Sequence, residues 1–165
     1  MNPSVVITTS QGAMKVELYE DKAPISVKNF LSYVDEKFYD GTIFHRVISS
    51  FMIQGGGFQP GMNQKKTKPT IKNESSNGLS NTRGTLAMAR TNVPDSASSQ
   101  FFINTVDNHF LDKAKSQDGV GYCVFGKVIE GLDVVDKIKA VKTGSKSGHQ
   151  DVPLQDVTIQ TVQRG

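Results

Sequence analysis

Cysteine and tryptophan are nearly missing from this sequence. Its 165 residues contain one cysteine, Cys123, and no tryptophan. A single cysteine cannot form a disulfide within the chain, so packing alone must hold the fold, and a reducing, intracellular location is favoured. Cys123 stands in the apolar run 122–128, where a thiol is far more often a small buried side chain than a nucleophile.

Long apolar stretches are absent as well. A membrane-spanning helix needs roughly 18 or more apolar residues, and no segment of the sequence approaches that length. Residues 1–9 also lack the basic start and the apolar centre of an export signal. We therefore expect a cytoplasmic protein with no membrane association.

The excess of charge of one sign is small. Lys and Arg number 19 against 16 Asp and Glu, which gives a net charge of +3 scattered along the chain. So weak a bias gives no reason to expect a nucleic-acid partner. The densest basic run, Lys65, Lys66 and Lys68, is predicted to be a solvated loop.

Familiar catalytic and cofactor motifs are missing. The three histidines, His45, His109 and His149, are far apart and belong to no metal-binding pattern. The sequence contains neither a G-x-S-x-G elbow nor a phosphate-binding G-x-x-x-x-G-K-[ST] loop. We therefore expect an activity that needs no metal and no cofactor.

The apolar pattern predicts one globular domain over residues 1–165, built mainly from β-strands. Residues 5–9 and 14–19 flank Gln11 and Gly12 and are predicted to form a β-hairpin. With this hairpin, six further β-type runs make about eight strands, at residues 43–48, 51–54, 85–89, 101–104, 122–128 and 157–162. The range 55–84 shows hardly any pattern, which indicates either a functional loop or a missed strand.

Two helices are predicted. Residues 24–36 carry an apolar stripe with Pro24 in the first turn and Asp21 as the expected cap, and a second helix begins near Leu132 and ends before Gly144. The helices do not alternate with strands as a parallel sheet would require. The predicted fold is therefore all-β, an eight-stranded closed antiparallel barrel capped by two α-helices, with any functional groove on its outer face.

An arginine in apolar surroundings is the most unusual feature of the sequence. If residues 43–48 alternate as a strand, Phe44, Arg46 and Ile48 share one face, while His45 and Val47 point the other way. Taken alone, such an arginine is more often an edge-strand residue that rests its stem on apolar surface.

A second segment, residues 98–104, mixes polar and aromatic side chains. Alternation would set Gln100 and Phe102 on one face and Phe101 and Ile103 on the other. Core packing explains Phe101 and Ile103 but leaves the first pair unexplained.

At these segments the sequence resembles the cyclophilin family of peptidyl-prolyl cis-trans isomerases, and most of all its cytoplasmic single-domain bacterial members. The resemblance covers the whole chain, and its motifs follow one another in the family's order. These motifs are Phe44-His45-Arg46-Val47, Phe51-Met52-Ile53-Gln54-Gly55-Gly56, Ser99-Gln100-Phe101-Phe102-Ile103 and Val124-Phe125-Gly126-Lys127-Val128.

The resemblance implies an eight-stranded antiparallel β-barrel capped by two helices, in agreement with the apolar pattern. It also implies an enzyme that accelerates rotation about Xaa-Pro peptide bonds and so assists protein folding. Its partners would be proline-containing peptides and unfolded or folding proteins, and we expect it to be a monomer.

Position by position, the resemblance makes Arg46 the catalytic cation. It assigns substrate binding to His45, Phe51, Met52, Gln54, Ala89, Arg90, Gln100, Phe102, Phe110, Leu111 and Tyr122. The proline pocket is implied to consist of Phe51, Met52, Phe102 and Leu111. Gln54 and Gln100 would line its polar side, and the backbone around Ala89 and Arg90 would bind an extended substrate.

Three positions depart from the pattern of many eukaryotic members. Phe110 replaces a Trp that contributes to cyclosporin binding in the family, so we expect weak binding of that drug. Tyr122 stands where a His is common. Arg90 replaces a usual Asn, and we hypothesise that its charge favours acidic residues near the substrate proline.

Two other functions are compatible with these residues. The chain could be a catalytically silent module of the same fold that only binds proline-containing segments. Alternatively, it could be an unrelated acid-base enzyme centred on His45, whose rate would follow a histidine titration near pH 6 to 7. An arginine-driven rotation would be nearly independent of pH in that range.

Overall fold

The computed structural model describes residues 2–117 and 119–165. Within these residues it contains two α-helices, α1 (Pro24–Asp35) and α2 (Leu132–Lys139), and two 3₁₀ turns, Ser75–Asn77 and His109–Leu111. The strands are β1 (Ser4–Thr9), β2 (Gly12–Leu18), β3 (Thr42–Ile43), β4 (Arg46–Ile48), β5 (Met52–Gly55), β6 (Phe58–Gln59), β7 (Asn63–Gln64), β8 (Thr85–Met88), β9 (Phe101–Asn104), β10 (Val124–Glu130), β11 (Thr143–Lys146), β12 (His149–Pro153) and β13 (Thr158–Arg164). No helix among the described residues is both long and apolar enough to cross a membrane.

One antiparallel sheet forms the body of the molecule. Its strands are hydrogen-bonded in the order β4-β5-β9-β8-β10-β2-β1-β13-β3-β6-β7. Strands β3 and β4 lie near opposite ends of this order, yet only Phe44 and His45 connect them. Two residues span at most about 10 Å, so the sheet must curl until its ends meet. The predicted antiparallel barrel with two helices is confirmed, although its strands are shorter and more numerous than the sequence suggested.

The inside of the barrel holds the main hydrophobic core. Helix α1 buries the predicted stripe against it, and the Phe30 ring lies 5.2 Å from Tyr39, 5.5 Å from Phe101 and 5.2 Å from Phe125. Cys123 is 3% exposed and is therefore the buried small side chain that the sequence predicts. A second, smaller apolar cluster lies on the other face of the sheet and consists of Met52, Ala87, Ala89, Phe102, Leu111 and Val124.

The predicted strand 43–48 is broken in two. Phe44 lies between β3 and β4, where its backbone N–H donates to Val157 O at 2.9 Å. Its side chain is fully buried in the main core, with its ring 6.2 Å from Phe101. The prediction that Phe44 shares a face with Arg46 is therefore wrong, because the chain changes direction where the two ends of the sheet meet.

Two further regions differ from the sequence expectation. The range 55–84 contains β6, β7 and the turn Ser75–Asn77. Within it, Lys65 donates a hydrogen bond from Nζ to Phe38 O at 2.6 Å, so its side chain does not point freely into solvent. The hairpin of β11 and β12 was not expected, since its polar residues give no apolar alternation. Its turn is formed by Ser147 at φ 51° and Gly148 at φ 81°, the pair of positive angles that a two-residue hairpin turn needs.

The start of helix α1 is capped from a distant loop. Asp21 was expected to cap it, but the N-cap residue is Ala23, which has no side-chain acceptor. Instead, the Glu74 carboxylate accepts hydrogen bonds from Ile25 N at 3.3 Å, from Ser26 N at 2.7 Å and from Ser26 Oγ at 2.9 Å. The carboxylate thus satisfies two of the first N–H groups of the helix and sits at the positive end of its dipole.

Replacing Glu74 by Ala is expected to lower the free energy of unfolding by about 1–2 kcal/mol, because the helix loses the carboxylate that caps its first turn. Urea unfolding of the two variants Glu74→Ala and Asp21→Ala measures the difference. Asp21 is exposed, so its variant should stay within about 0.5 kcal/mol of wild type. An equal loss in both variants would contradict this assignment of the cap.

Candidate active site

Four neighbouring strands place one row of side chains on the outer face of the barrel. In the antiparallel register Arg46 pairs with Gln54, Gln54 with Phe102, and Phe102 with Ala87. Directly opposed residues point to the same side of a sheet. A cation, an amide and an aromatic ring therefore stand side by side above the second apolar cluster, although they are remote in sequence.

The row opens into a cavity of about 130 Å³. Its lining residues are Arg46, Phe51, Met52, Gln54, Ala89, Arg90, Phe102, Leu111 and Tyr122. The floor is apolar and well packed, since Met52 is 2%, Phe102 4% and Leu111 7% exposed. Such a floor suits a small apolar ring, while the polar groups stand at the rim.

Arg46 is the exposed cation of this groove. It belongs to the short strand β4, which pairs with β5 through Arg46, Val47 and Ile48 and has β12 packed beside it. Within the described residues, the Arg46 guanidinium makes no hydrogen bond and no ion pair. Its five N–H donors therefore face solvent and any molecule that enters the groove.

Gln54 is held in place by a neighbouring amide. Its Nε2 donates to Gln100 Oε1 at 2.9 Å, which uses one of the two N–H donors of the amide and leaves the second for a ligand. Gln100 can lie here because residue 57 is glycine, since a Cβ at Gly57 would come within 2.5 Å of Gln100 Cγ. Gly57 thus keeps room for Gln100 on the polar side of the groove.

The far wall is built by two segments. The turn His109–Leu111 directs Leu111 into the cavity and leaves Phe110 56% exposed, with its ring stacked on Phe51 at a centroid distance of 5.7 Å. Tyr122 meets Phe102 edge to face at 5.7 Å.

Arg90 holds the Tyr122 part of that wall. Its guanidinium lies 4.3 Å from the centre of the Tyr122 ring. It also donates to Gly121 O from Nη2 at 2.7 Å and from Nε at 3.2 Å. Arg90 is thereby tied to the wall, and its positive charge is kept beside the groove.

The structure brings nine of the twelve predicted site residues together around the cavity and places the other three elsewhere. Gln100 stands behind Gln54, and Phe110 lies on the outer rim. His45 is 5% exposed, and its ring packs 4.4 Å from the Phe58 ring. His45 does not line the groove.

The environment of His45 disfavours its charged form. Burial, followed by the charges of His149 and Arg46, lowers the pKa of His45 to about 4. Its Nδ1 is buried and has no hydrogen-bond partner within the described residues. The imidazole is therefore neutral at pH 6 to 7, where an acid-base catalyst would titrate.

Sequence reasoning missed the polar residues that support the far wall, chiefly Asn81, Asn108 and Asp112. They are separated along the chain and match no short motif, so only their contacts identify them. No group of three His, Cys, Asp or Glu side chains in the described ranges is placed to hold a metal ion.

The curled antiparallel barrel with two helices thus carries an apolar groove beside the exposed Arg46 guanidinium. Residues 4–164 match the family model for cyclophilin type peptidyl-prolyl cis-trans isomerase/CLD. The chain belongs to this family.

Individual relatives are similar in sequence to this chain over nearly its whole length. The chain is 61% identical over 159 residues to peptidyl-prolyl cis-trans isomerase B of Escherichia coli strain K12. That alignment covers 96% of this chain and 97% of the relative. It is 60% identical over 162 residues to a peptidyl-prolyl cis-trans isomerase of Acinetobacter baylyi, covering 98% of this chain and 85% of that protein.

A solved structure has the same fold. The cyclophilin type peptidyl-prolyl cis-trans isomerase of Cryptosporidium parvum, crystallised in the presence of the dipeptide Ala-Pro, superposes with a TM-score of 0.81. It is 29% identical, and the match covers 98% of both chains. The chain is a cyclophilin-type peptidyl-prolyl cis-trans isomerase.

The buried His45 is expected to make the fold sensitive to mild acid. Below its ordinary pKa of 6.5 the unfolded chain takes up a proton at His45, whereas the folded chain resists protonation down to about 4. The free energy of unfolding should therefore be unaffected by His45 above pH 6.5 and fall as the pH drops from 6.5 to 4. The total loss is of the order of 3 kcal/mol.

Urea unfolding at several pH values between 4 and 6.5 measures how steeply the free energy of unfolding falls with pH. His45→Gln keeps a polar side chain that does not titrate, so its stability should vary less with pH in this window. The carboxylates with lowered pKa values, such as Asp112, lose their stabilising contribution only at lower pH. Identical slopes in the variant and the wild type would count against this role of His45.

Proposed function

We propose that the groove around Arg46 is the site at which this enzyme rotates Xaa-Pro peptide bonds. One observation carries the proposal: an exposed guanidinium without a protein partner in the described chain stands in the same row as Gln54 and the buried ring of Phe102. A proline ring on the apolar floor would bring its peptide nitrogen towards that guanidinium.

The chemistry needed is conformational. Rotation about an Xaa-Pro bond breaks no covalent bond, yet its barrier is about 20 kcal/mol because the planar amide is stabilised by resonance. In the twisted transition state the nitrogen becomes pyramidal and regains a lone pair. A hydrogen bond from Arg46 to that lone pair strengthens only as the bond twists, which is the kind of differential binding that lowers a barrier.

The other lining residues would hold the two sides of the bond. Met52, Phe102 and Leu111 fix the proline ring, while the second N–H of the Gln54 amide donates to the carbonyl that precedes proline. The Ala89 N–H already donates to Gln100 O at 3.1 Å. We therefore assign the backbone contact with an extended substrate to the Ala89 carbonyl and to Arg90.

Arg46 cannot provide the whole acceleration. Raising a rate with a time constant of 10–100 s to about 10³ s⁻¹ requires roughly 6 kcal/mol. One charge-assisted hydrogen bond contributes about 1.5–3 kcal/mol net. The rest would come from the apolar floor, because the planar amide is the more charge-separated form and loses more when it leaves water, and from orientation of the proline ring.

The two alternative functions are less well supported. A silent binding module does not need an exposed guanidinium beside the pocket, and the relatives are named as isomerases. An acid-base enzyme centred on His45 would need that side chain in the groove, whereas it packs against Phe58.

The proposed ligands are proline-containing peptides and folding proteins, acted on by a monomer in the cytoplasm. The Ala-Pro dipeptide used with the Cryptosporidium relative supports a prolyl ligand. The single buried cysteine suits a reducing compartment. The charge of Arg90 beside the groove supports a preference for acidic residues near the substrate proline.

Replacing Arg46 by Ala is expected to lower kcat/KM for an Ala-Pro test peptide at least about tenfold, because the donor to the prolyl nitrogen is lost. Isomerisation kinetics measure the change, and circular dichroism checks that the fold is intact. For the wild type, the rate should vary little between pH 6 and 8, since the guanidinium stays charged throughout this range.

Arg83→Ala is a matched control. Arg83 is also a surface arginine, but it pairs with Asp136 at 2.9 Å and does not line the groove. Its rate should remain within about twofold of wild type. An unchanged rate in Arg46→Ala would overturn the proposed mechanism, whereas a loss in both variants would indicate a general charge effect.

Cyclosporin is expected to bind weakly, because Phe110 presents a smaller ring at the rim and lacks the indole N–H donor. Phe110→Trp should tighten inhibition by about tenfold or more, the effect of one good contact. Inhibition titrations of the wild type and the variant test this. Nanomolar inhibition of the wild type would refute the assigned role of Phe110.

A further inference from the structure

A carboxylate is fixed directly behind the far wall of the pocket. Asp112 follows Leu111, and its Oδ1 accepts hydrogen bonds from Asn81 N at 2.7 Å and Asn81 Nδ2 at 3.0 Å. Its Oδ2 accepts from Ser80 Oγ at 2.5 Å and lies 3.6 Å from His109 Nδ1. Both oxygens are thus engaged by residues of another loop or of the turn itself.

Asn81 connects this carboxylate to the second segment of the wall. The side chain is fully buried, and its Nδ2 also donates to Tyr122 O at 3.3 Å. Tyr122 N in turn donates to Leu111 O at 2.9 Å. Leu111 and Tyr122, which face the cavity from this side, are therefore tied to one another and to the same asparagine.

The network also reaches the strands beneath the pocket. Asn81 O accepts from Asn108 N at 2.7 Å, and Asn81 Oδ1 accepts from Asn104 Nδ2 at 3.2 Å. Asn108 Nδ2 donates to Phe51 O at 2.8 Å. The wall, strand β9 and the residue before β5 are thereby held at fixed distances from each other.

Ser80, His109 and Asp112 do not form a nucleophilic triad. In such a triad the serine and the carboxylate bond to different nitrogens of the imidazole. Here both lie next to His109 Nδ1, and the Ser80 hydroxyl donates to Asp112 instead of being activated. The cluster therefore has a positional role.

We propose that Asp112 and Asn81 are positioning residues that set the width of the proline pocket and so its selectivity for a five-membered ring. The proposal rests on the function assigned to the groove. The opposite side, formed by Met52 and Phe102, is fixed by strand pairing, so the width depends on where Leu111 and Tyr122 are held.

The carboxylate is needed because it is purely an acceptor. Burial would raise the pKa of Asp112, but the hydrogen bonds from Ser80 and Asn81 lower it overall, so the group is ionised at neutral pH. In Asp112→Asn, one oxygen becomes an NH₂ group that faces N–H or O–H donors. Towards Asn81 this group would lose the N–H hydrogen bonds that it faces. Towards Ser80 it can only reverse the bond, with the hydroxyl accepting, and the carbonyl oxygen that remains is a neutral and weaker acceptor. In either case the anchor of the turn that carries Leu111 is weakened, and the turn can move outward.

The test compares two peptide substrates that differ by one methylene, Ala-Pro and the homologue with a six-membered pipecolyl ring. Wild type should strongly prefer the prolyl peptide. Asp112→Asn should reduce the ratio of the two kcat/KM values by about fivefold or more, within the range that one methylene controls. KM for the prolyl peptide should rise more than kcat falls, because the ring is held less tightly in every state.

Asp107→Asn is the matched control. Asp107 Oδ1 accepts a comparable backbone hydrogen bond, from Arg83 N at 2.8 Å, but Asp107 is not one of the residues that line the cavity. Its selectivity ratio should equal that of wild type. A ratio in Asp112→Asn that also equals the wild-type value, even with lower overall activity, would overturn the proposal.

Two further measurements keep the result decisive. If Asp112→Asn does not fold, Ser80→Ala removes one hydrogen bond to the carboxylate and must also lower the ratio of the two kcat/KM values.

Fluorescence gives a second measurement. In a Phe110→Trp background the introduced tryptophan reports on the turn His109–Leu111. Asp112→Asn should shift the tryptophan emission to longer wavelength, whereas Asp107→Asn should not. Failure of the wild type to isomerise the prolyl peptide would instead refute the function assigned to the groove.

Discussion

The antiparallel register of four strands, β4, β5, β9 and β8, is the constraint on which this enzyme depends. It lets one sheet carry two apolar surfaces, since Phe101 and Ile103 face the barrel core while Phe102 between them faces outward. The same register places Arg46 and Gln54 in line with that ring. The groove is therefore built on the outer face of strands whose inner face packs into the barrel core.

The two sides of the pocket are stabilised by different interactions. The side with Met52 and Phe102 belongs to the sheet and is fixed by its backbone ladder. The side with Leu111 and Tyr122 is irregular and is held by the buried Asn81, by Asp112 and by the contact of Arg90 with Tyr122. A loop has no backbone hydrogen-bond ladder, so side-chain hydrogen bonds fix its position instead. One carboxylate can therefore influence the selectivity for a five-membered ring.

Much of the architecture could be predicted from local patterns. The hairpin of β1 and β2, both helices and the division of Phe101 and Phe102 between two faces follow from periods of 2 and 3.6 residues. Contacts between distant segments could not be predicted in this way. Glu74 caps α1 across 48 residues, and Phe44 leaves the face of Arg46 because the ends of the sheet meet beside it.

By itself, the sequence determined the family, because the family is encoded in short motifs, and the resemblance to that family supplied nearly all the residues around the groove. Only the tertiary structure decided that His45 is buried against Phe58, that Phe110 stays on the rim and that Arg90 and Asp112 hold the wall. These outcomes depend on which segments meet in space. A local pattern indicates the face on which a side chain lies only while its strand stays unbroken, and its neighbour across the groove is decided by the closure of the whole barrel.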